Sequence, residues 1–243
     1  WGGNSGYGGE SRPGCDPRQI NIVNNWYRPG EGSSNRARIV NPTTKCSNCN
    51  PDDQYSVTPG LFYVSGNFMY GSDKVTADNW EGVEPDDKNQ KDKVRSDSFM
   101  GSHKGTLHNA EDAMESVLTY AGASLARDRI DTRLAKETRE GSYTYKGSKG
   151  GTKGIIDTQE DVGGWPAYKA SDEQLAIVTD TDLDGIPDWY ETLFGLDGKD
   201  STDAALSTID PDGRYTNLEM YLHYLVKDIV KGQNANGQYT EIK

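Results

Sequence analysis

Ile20-Asn21-Ile22-Val23-Asn24-Asn25-Trp26-Tyr27 and Leu61-Phe62-Tyr63-Val64-Ser65-Gly66-Asn67-Phe68-Met69-Tyr70 follow one pattern. Each begins with a short β-branched or aromatic run, breaks at an asparagine-bearing dipeptide and resumes with aromatics. A tight hairpin accounts for either stretch alone, because Asn and Gly supply the left-handed backbone a sharp turn needs. Their repetition points instead to successive coils of a parallel β-solenoid, in which equivalent asparagines stack and their amides bond in a ladder. An ordinary β-sandwich is the alternative that this loose spacing leaves open.

Working outward from these stretches, four regions differ in texture. Residues 1–80 are rich in Gly, Asn, Tyr and β-branched residues, as coils would be. Residues 81–106 form a charged insertion, with Glu84-Pro85-Asp86-Asp87-Lys88 at its centre and little apolar content. Residues 107–170 carry two helical patterns and then a Gly-rich extended stretch. The first helix is capped by Asn109, with Ala110, Met114, Val117, Leu118 and Ala121 on one face and Gly122 at its end. The second runs from Asp128 to Glu140, with Ile130, Leu134 and Ala135 inward and Gly141 as its stop. The arginines of this region, Arg127, Arg129 and Arg133, read as a solvated face. Residues 171–243 combine an acidic loop system with a final amphipathic helix.

The charge balance narrows the partners. Among 243 residues, 26 Lys and Arg oppose 38 Asp and Glu, for a net charge of −12. That excess of acid argues against nucleic acid, whose phosphates require a basic surface. No apolar run approaches the roughly 20 residues of a membrane span. The sequence opens at Trp1 with no initiator Met and no signal peptide, as a processed secreted protein or a piece of a longer one would. The coil pattern favours the piece.

The sharpest chemical motif is Asp180-Thr181-Asp182-Leu183-Asp184-Gly185-Ile186-Pro187-Asp188-Trp189-Tyr190-Glu191. Carboxylates fall at positions 1, 3, 5, 9 and 12 of a twelve-residue calcium loop, with glycine at position 6. A hard cation takes six to eight oxygens, so alternate side chains must converge while glycine allows the bend. Asp180, Asp182, Asp184, Asp188 and Glu191 are the expected ligands, with the Ile186 carbonyl. An acidic turn capping a helix is the plainer alternative, but five close carboxylates without a cation repel one another. A weaker echo, Thr208 to Glu219, offers Asp210, Asp212 and Glu219 as a possible second metal site.

Other motifs are incomplete. Cys46-Ser47-Asn48-Cys49 has the spacing of a redox or zinc half-site but lacks a second half, and with Cys15 it reads as one loop disulfide plus a spare thiol, or as pairing with a cysteine in sequence beyond this chain. His103, His108 and His223 stand in no nucleophile or metalloprotease context, and the Gly pairs lack the Gly-Lys-Ser/Thr of a phosphate loop.

Several separate stretches resemble the C-terminal part of pectate lyases of polysaccharide lyase family 1, particularly the long Bacteroidetes-type members. They are Trp1-Gly2-Gly3-Asn4-Ser5-Gly6-Tyr7 with Ile20 to Gly30, Ala121 to Asp131, Gly154 to Pro166, the Asp180 loop, and Tyr215-Thr216-Asn217-Leu218-Glu219. The resemblance implies a mainly-β fold: the last coils of a right-handed parallel β-helix (1–80), the insertion, a helical cap (107–170) and an EF-hand-like calcium module (171–243). It also implies a secreted or cell-surface enzyme that cleaves polygalacturonate by calcium-dependent β-elimination. The family's catalytic arginine and calcium aspartates would precede Trp1, so an N-terminal portion of the same protein is the expected partner. Tyr7, Glu10 and Arg28 are the candidates here for a substrate-binding cleft wall. Without the coils, the acidic loops alone fit a non-catalytic, calcium-stabilised polysaccharide-binding or docking module.

Overall fold

The computed structural model describes the backbone of Tyr7–Gly9 and residues 18–44 and 59–242. Glu10, the side chain of Tyr7 and the three cysteines lie outside the described residues. The chain divides into two compact units, one reaching Trp165 and resuming at Gln233, the other Pro166–Gly232.

The first unit begins with six short strands: β1 (Tyr7–Gly9), β2 (Gln19–Val23), β3 (Trp26–Tyr27), β4 (Val40–Pro42), β5 (Leu61–Ser65) and β6 (Phe68–Met69). The two copies of the repeat pair in parallel. β2 lies on β5 with Ile20 opposite Phe62, and β3 on β6 with Trp26 opposite Phe68, their rings stacked at 4.0 Å. β1 pairs with β4 in the same sense. At the break between strands Asn24 takes φ 56° and Gly66 φ 70°. A β-carbon on Gly66 would strike the Asn24 side chain, so glycine is required there.

The expected asparagine bonding is present. The Asn25 amide donates to Asn67 Oδ1 at 2.9 Å, and the Asn67 backbone N–H donates to Asn79 Oδ1 at 2.7 Å. Below this chain, Ile22, Ile39, Val40, Phe62, Met69, Val75, Val83 and Val94 form the core.

The expectation of a mainly-β, right-handed parallel β-helix is nevertheless overturned. Among the described residues strand accounts for 14% and helix for 36%, with the strands paired two at a time and no solenoid. Polar capping after Met69 supplies the reason. Ser72 opens helix α1 (Asp73–Ala77), and the carboxylates of Asp78 and Asp87 accept backbone N–H groups at the starts of two 3₁₀ turns, Asn79–Gly82 and Lys88–Val94. Such local bonding competes with strand formation. A third layer is thereby reduced to isolated bridges, Val40 to Val83 and Phe62 to Arg95.

Strand β7 (His103–Leu107) pairs antiparallel with β8 (Gln238–Ile242). Helix α2 (Ala110–Tyr120) starts at Asn109, whose side chain accepts from the Asp112 N–H, and Gly122 follows with φ 73°. Helix α3 (Arg129–Glu140) is capped by Asp128 and closed by left-handed Gly141. Both stand where their capping signals put them, but their faces differ from expectation. Val117 is 59% and Leu134 40% exposed, whereas Glu137 is buried, bonded to Arg133 and to the Thr144 N–H. Nor do the arginines form a merely solvated face. Arg127 donates to the Leu118 and Ala121 carbonyls at the end of α2, and Arg129 to those of Val162, Gly163 and Gly164. Unpaired carbonyls at helix ends attract cationic donors.

The second unit holds helices α4 (Asp172–Ile177), α5 (Asp188–Phe194) and α6 (Asn217–Gln233), with a 3₁₀ turn at Asp203–Ala205. Its core is Ile186, Tyr190, Ala204 and Tyr221, with Leu196, Ile209, Leu218 and Tyr224 packed around them. On α6 the buried residues are Asn217 and Tyr221, while Leu222, Leu225 and Val226 are exposed. Among the described residues no helix is long and apolar enough to cross a membrane.

Candidate metal centre

The Asp180 loop winds around its own first residue. Asp180 accepts the N–H groups of Leu183 at 2.7 Å and Gly185 at 2.9 Å. That curl requires positive φ at both, 63° and 100°, which is what the glycine at position 6 supplies most easily. Asp184 accepts from the Ile186 N–H at 2.8 Å, and the Ile186 side chain is fully buried in the core. The loop is thus pinned at its end, and α5 begins at once.

Carboxyl oxygens converge from there. Those of Asp180, Asp182 and Asp184 lie within 4.8 Å of one another, as do those of Asp184, Glu191 and Asp203. Ca²⁺–oxygen bonds of about 2.3–2.6 Å put opposite ligands at about that separation. Glu191 is 1% exposed, and neither of its carboxyl oxygens has a hydrogen-bond partner. Both oxygens of Asp182, Asp184 Oδ2 and Asp203 Oδ1 are likewise buried and unpartnered.

Burial, then the charges of Asp182, Asp184, Asp203 and Asp188, push the Glu191 carboxyl up to about 7. Burial and the neighbouring Asp184 also raise Asp182. Isolated buried carboxylates cost several kcal/mol each unless something positive offsets them, and among the described residues no cationic side chain is bonded to these oxygens. An oxygen-only donor set of this charge fits a hard divalent cation.

The structure does not treat all predicted residues alike. Asp180, Asp182, Asp184 and Glu191 come together, with Asp184 shared by both groups. Asp188 falls in neither group: its two oxygens accept the backbone N–H and the hydroxyl of Thr181, both at 2.8 Å, closing the loop. Asp203 was not legible, because it lies outside the twelve-residue frame and no spacing marks it.

In the second loop, Asp210 accepts the N–H groups of Arg214 and Tyr215, Asp212 pairs with Arg214, and Glu219 accepts the N–H and hydroxyl of Thr216. These bonds hold Asp210 and Glu219 below the usual carboxylate range, with the N–H of Arg214 and that of Thr216 as the largest causes. Asp210, Asp212 and Glu219 do not converge as a group. What the loop does provide is Asn217, fully buried, whose amide donates to the Asp203 carbonyl at 2.8 Å and whose Oδ1 accepts the N–H groups of Thr208 and Ile209.

In the first unit, Arg28 lines a cavity of about 320 Å³ with Asn24, Asn25, Trp26 and Met114. Its guanidinium sits 4.0 Å over the Tyr70 ring and donates to the Glu140 carbonyl at 2.8 Å. Of Tyr7, only its backbone place in β1, opposite Val40, is described.

Fold and site together define a two-unit protein, one unit mixed strand and helix, the other helical with an acidic centre suited to a hard cation. No family profile matches the chain. Curated relatives do. It is 29% identical over 229 residues to a protein of Aspergillus flavus named probable pectate lyase C, covering 93% of this chain and 46% of that protein. The protein of that name in Aspergillus oryzae gives the same figures, and that of Emericella nidulans is 35% identical over 120 residues, 49% of this chain and 24% of its own length. The chain is therefore related to proteins named as pectate lyases, and it spans about half the length of the first two.

Proposed function

We propose that this chain is part of a secreted, calcium-dependent, pectate-lyase-like enzyme that cleaves polygalacturonate. The observation that carries the reading is the similarity to probable pectate lyase C across 93% of the chain. The narrower placement among long Bacteroidetes-type members of polysaccharide lyase family 1 rests on the stretches quoted above.

In β-elimination a base takes the C5 proton of a uronate, the electron pair left behind forms the C4–C5 double bond, and the C4–oxygen bond breaks. Metal and cationic groups stabilise the charge that develops on the carboxylate. The reading assigns that machinery to sequence preceding Trp1 and assigns no catalytic residue here. Tyr7, Glu10 and Arg28 are its proposed cleft-wall residues.

The role proposed for the second unit is to hold calcium through Asp180, Asp182, Asp184, the Ile186 carbonyl and Glu191. Asp188 would contribute by closing the loop, and Asp210, Asp212 and Glu219 form a weaker second candidate. Calcium supplies there the positive charge that the buried oxygens lack. The unpartnered oxygens of Glu191 support it. A non-catalytic, calcium-stabilised binding or docking module is the second reading, favoured by the confinement, among the described residues, of the converging carboxylates to one unit.

The two separate in one assay. Polygalacturonate incubated with the full-length protein and calcium should gain near-ultraviolet absorbance from unsaturated uronide ends, and chelation should stop it. Absence of that absorbance in protein that binds calcium overturns the lyase reading in favour of the module.

A further inference from the structure

We infer that Asp203, drawn from a segment outside the twelve-residue loop, is a direct ligand of the cation, and that Asp188, at the loop's ninth position, is not. This rests on the reading of the Asp180 loop as a cation site. The geometry points to it from both sides. Asp203 is 8% exposed, its Oδ1 is buried without a partner, and its carboxyl lies within 4.8 Å of those of Asp184 and Glu191.

The other atoms of Asp203 are held so that Oδ1 is left over. Oδ2 accepts the Asp197 N–H at 3.0 Å, and the backbone carbonyl accepts the Asn217 amide at 2.8 Å. A carboxylate oriented by two outside bonds, with one oxygen dry and bare beside the bare oxygens of Asp184 and Glu191, is preorganised for a cation. The same segment leaves room at the centre: a β-carbon on Gly198 would come within 2.9 Å of Glu191 Oε2. Asp188 is the reverse case: its carboxyl belongs to neither converging group, and its oxygens close the loop on Thr181 instead.

The site is therefore built from three pieces, the loop, the first turn of α5 and the 3₁₀ turn at Asp203. A sixth-position glycine and a twelfth-position glutamate describe only the first two. The second loop contributes indirectly, since Asn217 positions the Asp203 segment.

Calcium titration calorimetry on the whole chain tests this. Asp203→Asn should weaken binding by about tenfold or more, whereas Asp188→Asn, which loosens only the loop closure at Thr181, should weaken it clearly less. In the unsubstituted chain, the Asp203 side-chain carboxyl ¹³C resonance should move on adding calcium while that of Asp188 stays in place. This readout needs no variant to fold. Unchanged affinity in Asp203→Asn together with an unmoved Asp203 resonance overturns the inference and leaves the calcium site standing. Equal losses in both variants overturn the exclusion of Asp188. Failure of the unsubstituted chain to bind calcium overturns the site itself.

Discussion

Glu191 concentrates the chemistry of the second unit in one side chain. Its carboxyl is raised to about 7 by burial and surrounding acids, against roughly 4.3 for an unperturbed glutamate. Without a cation the folded state then holds the Glu191 proton more tightly than the unfolded state does. Stability from this group is accordingly full below the unfolded value and falls as pH rises toward about 7. With chelator present, melting temperature should decline between about pH 5 and pH 7, and Glu191→Gln should flatten that decline while abolishing calcium stabilisation. Calcium and proton compete for the same oxygens, so calorimetric affinity should drop by about tenfold per pH unit below about pH 7. An affinity flat from pH 5 to pH 8 would place the cation somewhere other than Glu191.

At the scale of elements, local bonding decides more than hydrophobic pattern does. Asn67, 2% exposed, accepts from Asn25 and donates to the Ile22 carbonyl at 2.8 Å while its backbone N–H meets Asn79. Asn67→Ala leaves several of these buried groups bare, and each such group costs about 1–3 kcal/mol. The urea midpoint should fall by an amount equivalent to about 3 kcal/mol, read from the tryptophan signal of the first unit. This bonding was legible in the paired Asn dipeptides, as were the caps Asn109 and Asp128 and the stops Gly122 and Gly141, because each needs only neighbours along the chain. Where the coil pattern stops was not. Two copies of a repeat are compatible with many coils, and only the capped turns after Ser72 show that the pattern ends. The inward faces of α2 and α3 were legible in part: Ala110 and Leu118 are buried as the periodicity puts them, while Val117 and Leu134 are exposed and Glu137 is buried on Arg133, which apolar periodicity cannot report.

For the molecule as a whole, the similarity to probable pectate lyase C runs over 229 residues, longer than either unit. Among the described residues, the converging carboxylates do not spread so widely. Asp180, Asp182, Asp184, Glu191 and Asp203 all belong to Pro166–Gly232. On the proposed reading, calcium would offset repulsion among these five carboxylates and fix the Asp203 segment, which Asn217 ties to α6. A ligand bound only by the folded state stabilises it by about 2.7 kcal/mol at a hundredfold excess over its dissociation constant. That stabilisation acts on the unit whose opening releases the ligand. Hydrogen exchange should therefore respond unevenly to calcium, because local openings are protected only where they break the site. Peptides covering residues 180–196 and 203–221 should exchange markedly more slowly with calcium than with chelator. Those covering β2, β3, β5 and β6 should change little. Equal slowing in the paired strands would mean that the cation stabilises a single cooperative body, and no slowing around Asp203 would remove its segment from the centre.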